Sequence, residues 1–276
     1  MKKTILFAIL SCILLGLAAP AVRAEQDDEV RVGKNLFMTV GYKLWLNTWE
    51  TVINSYPPTE GAHLNAIVKG PVAASIPNLS IRYKRLLVSG SYLTTGNYVF
   101  PAYKDVCAGV TCDAAHPTTA ETEFPTQWTA KRTEADVNLG FFLTQNFLLT
   151  AGYKNVTQTY TETFNTTTYP SSKTKYNGPT IGLSGSAGIG HGFGLYGNAV
   201  GGIMKVIYDP TSPINDTATY EASEVGIAWR APIPLSVSLG YKFQYLTTHI
   251  KSTAGFEDQP ASDVTRGYIL GLNYTF

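Results

Sequence analysis

Lysine recurs three times in one setting: Gly41-Tyr42-Lys43, Gly152-Tyr153-Lys154 and Gly240-Tyr241-Lys242. The spacings of 111 and 88 residues are too unequal for a solenoid repeat. A shared local geometry must therefore ask for glycine, aromatic and cation in that order. Asp136, Glu134 and Glu224 are acids that could meet these cations, and Arg132 and Arg230 add further positive charge. Such a set can form structural ion pairs or select charge in a pore. With a histidine in reach it could also do acid–base work. Metal and haem chemistry have no support, because the cysteines form no C-x-x-C pair and no histidine directly follows either one. No cofactor is implied.

The two ends bound what surrounds these residues. Met1-Lys2-Lys3 is a basic start, Thr4 to Leu17 is an apolar run, and Val22-Arg23-Ala24 offers a small-residue cleavage site. Residues 1–24 thus read as a secretory signal peptide, since the run is shorter than the roughly 20 residues of a membrane-spanning helix. Residues 25–34 read as a short periplasmic segment. The mature chain has 18 basic and 20 acidic residues, net −2, which excludes the basic face that nucleic acid requires. Cys107 and Cys112 remain after cleavage, and in an exported chain the default is one disulfide closing a small loop.

The elements that position the charges are strands. Tyr268, Leu270, Leu272, Tyr274 and Phe276 share one face, against Gly267, Ile269, Gly271, Asn273 and Thr275 on the other. A soluble sandwich would put aliphatic residues on its apolar face. Here aromatics stand at both ends and leucines in the middle, which is the pattern of a membrane barrel with lipid outside and a polar lumen. The same alternation runs from Leu36 to Asn47, Asp136 to Leu143, Ile181 to Ile189 and Leu235 to Tyr245. Each segment suits the roughly 9–11 residues of a tilted membrane strand.

Connections alternate in length. Short ones fall at Lys84 to Leu86, Thr144 to Asn146, Gly190 to Gly192 and Ala231 to Pro234. Long ones fall at Thr51 to Asn65, Pro101 to Thr126, Asn165 to Tyr176, Asp209 to Asp216 and Lys251 to Asp263. The reading is all-β: a closed antiparallel transmembrane β-barrel over residues 35–276, with ten strands and with eight or twelve as alternatives. Closure removes sheet edges that could not survive in lipid. The second strand, Lys69 to Tyr83, carries Pro71 and Pro77, and a bulge is expected there.

The chain resembles Gram-negative outer-membrane β-barrel proteins. The last strand carries the likeness, with terminal Phe276 preceded at every second position by Tyr274, Leu272, Leu270 and Tyr268. The resemblance implies outer-membrane lipid as surroundings, export before insertion, and the barrel assembly machinery as the partner that reads the terminal strand.

Parity then points Lys43, Lys154, Lys242, Arg132, Glu134 and Arg230 into the lumen. Hairpin register pairs Asp136 with Lys154 and Glu224 with Lys242, and Lys43 would have to join from across the lumen. This belt either plugs the barrel or forms a constriction passing small solutes or ions. Inward Trp45, Trp49, Trp128 and Tyr160 could stack on a ligand or pack on infolded loops. Omptins, ten-strand outer-membrane proteases, use acidic residues and a histidine at the rim. His249 has outward parity here, and Asp209, Asp216 and Asp263 show no carboxylate pair at omptin spacing, so no enzyme is expected. The expected function is a narrow pore or a plugged structural barrel. The alternative is an adhesin or receptor that uses the long cysteine-bearing outer loop.

Overall fold

A strand in lipid must satisfy its backbone within the wall, and its side chains must divide apolar from polar at every step. The computed structural model describes residues 35–54, 63–68, 70–100, 104–105, 122–123, 126–164, 167–168, 170–209, 216–250 and 259–276. The expected signal peptide, the expected periplasmic segment 25–34 and the expected Cys107–Cys112 disulfide lie outside the described residues.

Ten long strands form the wall: β1 (Leu36–Asn54), β2 (Val72–Tyr83), β3 (Leu86–Thr95), β4 (Thr126–Phe142), β5 (Phe147–Phe164), β6 (Ser172–Gly190), β7 (Phe193–Asp209), β8 (Thr217–Arg230), β9 (Leu235–Ile250) and β10 (Gln259–Thr275). Each pairs antiparallel with its neighbours in sequence, and β1 pairs β10 from Thr39↔Thr275 to Ile53↔Ala261. The wall is therefore a closed ten-strand barrel, and counts of eight or twelve do not apply. Three short strands extend its upper rim: His63–Ile67 pairs β1, Tyr98–Phe100 continues β3 against β4, and Thr167–Thr168 pairs β5. Strands of up to 19 residues outrun the hydrocarbon. Parts of the expected loops Thr51 to Asn65, Asn165 to Tyr176 and Lys251 to Asp263 are thus strand.

Pro77 does not produce a bulge. Its ladder with β1 is unbroken at Tyr42↔Pro77, and the ladder with β3 omits Ile76 and Pro77 without changing register. Pro179 on β6 behaves alike, facing Tyr153 while the β7 ladder resumes in register at Thr180. The missing N–H costs a ladder bond, but the fixed φ suits an extended strand. The observed irregularity is elsewhere, between Gly188 and Gly190, where β6 enters a turn with Gly190, His191 and Gly192 at φ 100°, 52° and 79°. Glycine suits this left-handed run, and His191 accepts it.

The outward face holds Leu139, Val137, Ile181, Ile203, Leu239, Leu270 and Leu272, all half or more exposed. Aromatics bracket this band, with Tyr241 packed on Tyr268 above and Tyr274 on Phe276 below. Because Leu270 sits between the two girdles, Leu270→Arg should lower stability by about 2–4 kcal/mol. Urea unfolding of barrels refolded into lipid vesicles measures this without the assembly machinery. Lys131→Ala, above the band, should change it by under about 1 kcal/mol.

Candidate functional site: the filled lumen

The inward side chains do not line an open channel in the upper half of the barrel. Trp45, Trp49, Tyr98, Met204, Val206, Leu246 and Ile269 are at most 2% exposed. They form three apolar clusters with Ile76, Leu93, Val156, Tyr176 and Tyr220. The lumen is thus less polar than the alternation of the last strand suggests. A narrow barrel has to fill its interior, and bulky apolar groups from facing strands do so where no water column passes.

Glu134 is the centre of the polar part. Its carboxylate lies 2.7 Å from Arg132 Nε and 2.6 Å from Lys154 Nζ, and the Arg132 and Glu134 side chains are both 1% exposed. Lys154 also holds Asp136 at 2.8 Å, its directly opposite residue across the β4–β5 hairpin. Gln244 donates to Glu134 at 3.1 Å and accepts from Arg132 at 3.2 Å. Arg132 also donates to Thr265 at 3.0 Å. The Lys154 ammonium lies 4.9 Å over the Tyr220 ring. Every ion in this group has several partners, which a buried charge requires.

A second group sits nearer the periplasmic turns. Register places Glu224 opposite Lys242, yet the carboxylate is taken by Lys43 from across the lumen, at 2.9 and 3.2 Å, and by the Tyr196 hydroxyl at 3.0 Å. Lys242 instead lies 4.8 Å over the Trp45 ring, a favourable place for a cation. Neighbouring register alone does not decide partners inside a barrel, because long side chains reach across it.

A third hub is Asp263, which the sequence placed among the late outer loops. It accepts from Trp49 Nε1 at 3.1 Å, Thr51 Oγ1 at 2.7 Å and Gln158 Nε2 at 2.9 Å. Trp49 also stacks edge-on against Tyr98 and Phe100 and lies near Tyr160. Trp128 is half-buried beside this cluster. Trp45 and Trp49 therefore expose no face to a solute. Asp263, Gln158, Gln244 and Tyr220 were the residues overlooked. Extending the same parity upward along β5, β8, β9 and β10 would have marked all four as inward.

Arg230 belongs to none of these groups. It is the last residue of β8 and is exposed at the turn end, six positions below Glu224. Tyr268, Leu270, Leu272, Tyr274 and Phe276 face outward. The recurring triplet also takes on a physical meaning. A Cβ at Gly41 would overlap the amides of Asn273 and Asn78, and one at Gly240 would crowd the Tyr196 hydroxyl. Each glycine thus makes room for a polar neighbour beneath the lysine, while Tyr42, Tyr153 and Tyr241 are exposed on the outer face. Among the described residues, no group of three or more His, Cys, Asp or Glu could hold a metal ion.

No protein-family model and no curated protein matches the chain. Among solved structures, the outer membrane protease OmpT of Escherichia coli is similar at 17% identity and TM-score 0.56, over 91% of this chain and 99% of that one. The translocator domain of the autotransporter NalP from Neisseria meningitidis aligns at 7% identity and TM-score 0.40, over 87% of this chain and 88% of that one. The toluene transporter TodX of P. putida aligns at 7% and 0.34, over 88% and 90%. The likeness to OmpT is one of fold, the closed outer-membrane β-barrel, and at this identity it carries no activity across.

Removing the shared carboxylate should be the most damaging single change in the belt. Glu134→Ala strands two buried cations, and a loss of about 3–5 kcal/mol is expected in urea unfolding. The double change Arg132→Met with Glu134→Leu leaves Lys154 with Asp136 and should recover most of that loss.

Proposed function

We propose that this protein is a sealed barrel of the Gram-negative outer membrane, a structural and surface-presenting protein rather than a conducting pore or an enzyme. The observation that carries the reading is the filling of the upper lumen, where Trp45 and Trp49 are 0% exposed and Arg132 and Glu134 are 1% exposed. No column of water fits through such packing, and pores conduct through hydrated or exchangeable sites. The outward apolar band with its aromatic girdles supports lipid as surroundings, and the terminal strand supports insertion by the barrel assembly machinery after export.

The non-enzymatic part of the reading rests on where the candidate groups point. His249 faces outward and is exposed, and His191 sits in a periplasmic turn. The lumenal acids Glu134, Asp136, Glu224 and Asp263 are each engaged by cations or by hydrogen-bond donors from the wall. A general acid or base has to be within hydrogen-bonding reach of a substrate proton, and these groups are spent on the interior. What the barrel offers to its surroundings is then its outer rim and connections, and loops on a rigid scaffold are the usual carriers of recognition.

Planar-bilayer recordings test the seal. The wild-type barrel should insert without conductance steps, whereas Trp45→Ala, Trp49→Ala and Arg132→Ala combined should open steps by emptying the plug. Discrete ion-conducting steps from the wild type would overturn the sealed reading.

A further inference from the structure

We propose that the periplasmic half of the lumen is a binding site for a small, hydroxyl-rich carboxylate of the sugar-acid type, reached from the turn side. The barrel is filled unevenly. Above Trp45 the interior is packed, whereas below it the wall presents Gly41, Gly152, Gly240 and Gly271 together with serines and asparagines. This lower region encloses a cavity of about 230 Å³, lined by Lys43, Lys242, Glu224, Asn78, Asn138 and Ser91 among others. Pockets for drug-sized ligands run from about 300 to 1,000 Å³, so a ligand here is small.

The cavity carries one ammonium outside ion-pair contact with any described carboxylate and one amide donor without an acceptor. Glu224 is committed to Lys43 and Tyr196. Among the described residues, no carboxylate forms an ion pair with Lys242, whose ammonium rests on the Trp45 ring. Asn78 Nδ2 is buried and has no acceptor. Both donors belong to the wall of this one cavity, and an unpaired buried donor is costly enough to call for a partner. A carboxylate is the group that both pairs with an ammonium and accepts from an amide donor. The remaining lining of Ser80, Ser89, Ser91 and Asn138 offers hydroxyl and amide groups that donate as well as accept, which suits the hydroxyls of a sugar rather than an apolar body.

Access and field agree with an anion. Below the cavity the β6–β9 side carries small inward residues, Gly188, Gly194, Ala228 and Ser236. On the opposite side Arg82 stacks 4.3 Å from the Phe142 ring, and Lys84 and Arg85 are exposed in the adjoining turn. Among the described residues, no acidic side chain lies nearer the turns than Asp136 and Glu224. Such one-signed lining raises the local concentration of the opposite charge.

The site exists whether or not the barrel conducts, so the recordings above and the following experiment fail independently. The full mature chain, refolded in detergent micelles and checked for its folded mobility on gels, is titrated with D-glucuronate, with D-glucose and with inorganic phosphate by calorimetry and ligand-observed NMR. Glucuronate should bind one site and glucose should bind far more weakly. Lys242→Met and Asn78→Ala should each weaken glucuronate, the former by about ten- to a hundredfold. Ser89→Trp, which fills the cavity and keeps every charge, should abolish binding. The proposal is overturned if wild-type protein binds no glucuronate, if Lys242→Met binds it as well as wild type, or if phosphate binds equally and survives Ser89→Trp.

Discussion

Glu134 has almost no contact with water, and everything in the upper barrel is arranged around that fact. A carboxylate in such a place is tolerable only when cations and donors surround it. Arg132 and Lys154 supply the charges, and Gln244 supplies a hydrogen bond. Arg132 in turn needs Thr265 and Gln244, and Lys154 needs Asp136 and the Tyr220 face. These partners come from β4, β5, β8, β9 and β10. The network therefore ties facing walls together, in a fold whose backbone ladders join only neighbouring strands. Because the pairs are buried, they do more to specify one arrangement of the lumen than to raise stability over an apolar filling.

Charge balance explains why the lower lumen differs. Lys43, Arg132, Lys154 and Lys242 face Glu134, Asp136, Glu224 and Asp263, so the belt as a whole is neutral. Its members are not evenly placed. Asp263 is drawn to the upper rim by Trp49, Thr51 and Gln158, which leaves one carboxylate, Glu224, below for two lysines, and Lys43 holds it while Lys242 rests on Trp45. The glycine of each triplet, by admitting a polar neighbour beneath the lysine, keeps that lower space roomy. One sequence pattern thus sets an outward-facing aromatic and a lumenal cation, and at Gly41 and Gly240 it also makes the room below them.

Much of this was legible in the sequence because a barrel wall obeys two strict rules. Period-2 alternation assigns faces, and short turns fix register, so the strand count, the turns and the pairing of Asp136 with Lys154 and Glu224 with Lys242 in register could be read directly. Pro77 misled, because a proline can sit in a strand whose ladder skips two residues without slipping. What the sequence does not encode locally is contact across the lumen. Lys43 and Glu224 are 181 residues apart and lie on strands that do not pair, and their meeting depends on the barrel's diameter and stagger. The preference of Lys242 for an indole over its register partner has the same origin. Asp263 reads as a loop acid because the last strand begins at Gln259, beyond the apolar band, where composition resembles that of a loop.

The same contacts bear on whether a filled barrel can ever pass a solute. An open path would require Trp45 and Trp49 to swing aside and the Arg132–Glu134–Lys154 group to part. Breaking a buried pair without replacement costs about 3–5 kcal/mol, which corresponds to an open population of about one in a hundred to one in several thousand. Water entering the gap would rehydrate the ions and offset part of that cost, but it would also strip the apolar clusters around Met204 and Leu246 of their packing. The two penalties act together, because the ionic group and the apolar clusters occupy the same layer. A solute from the turn side therefore meets a cationic chamber with a closed ceiling, a geometry suited to holding a ligand rather than to passing one.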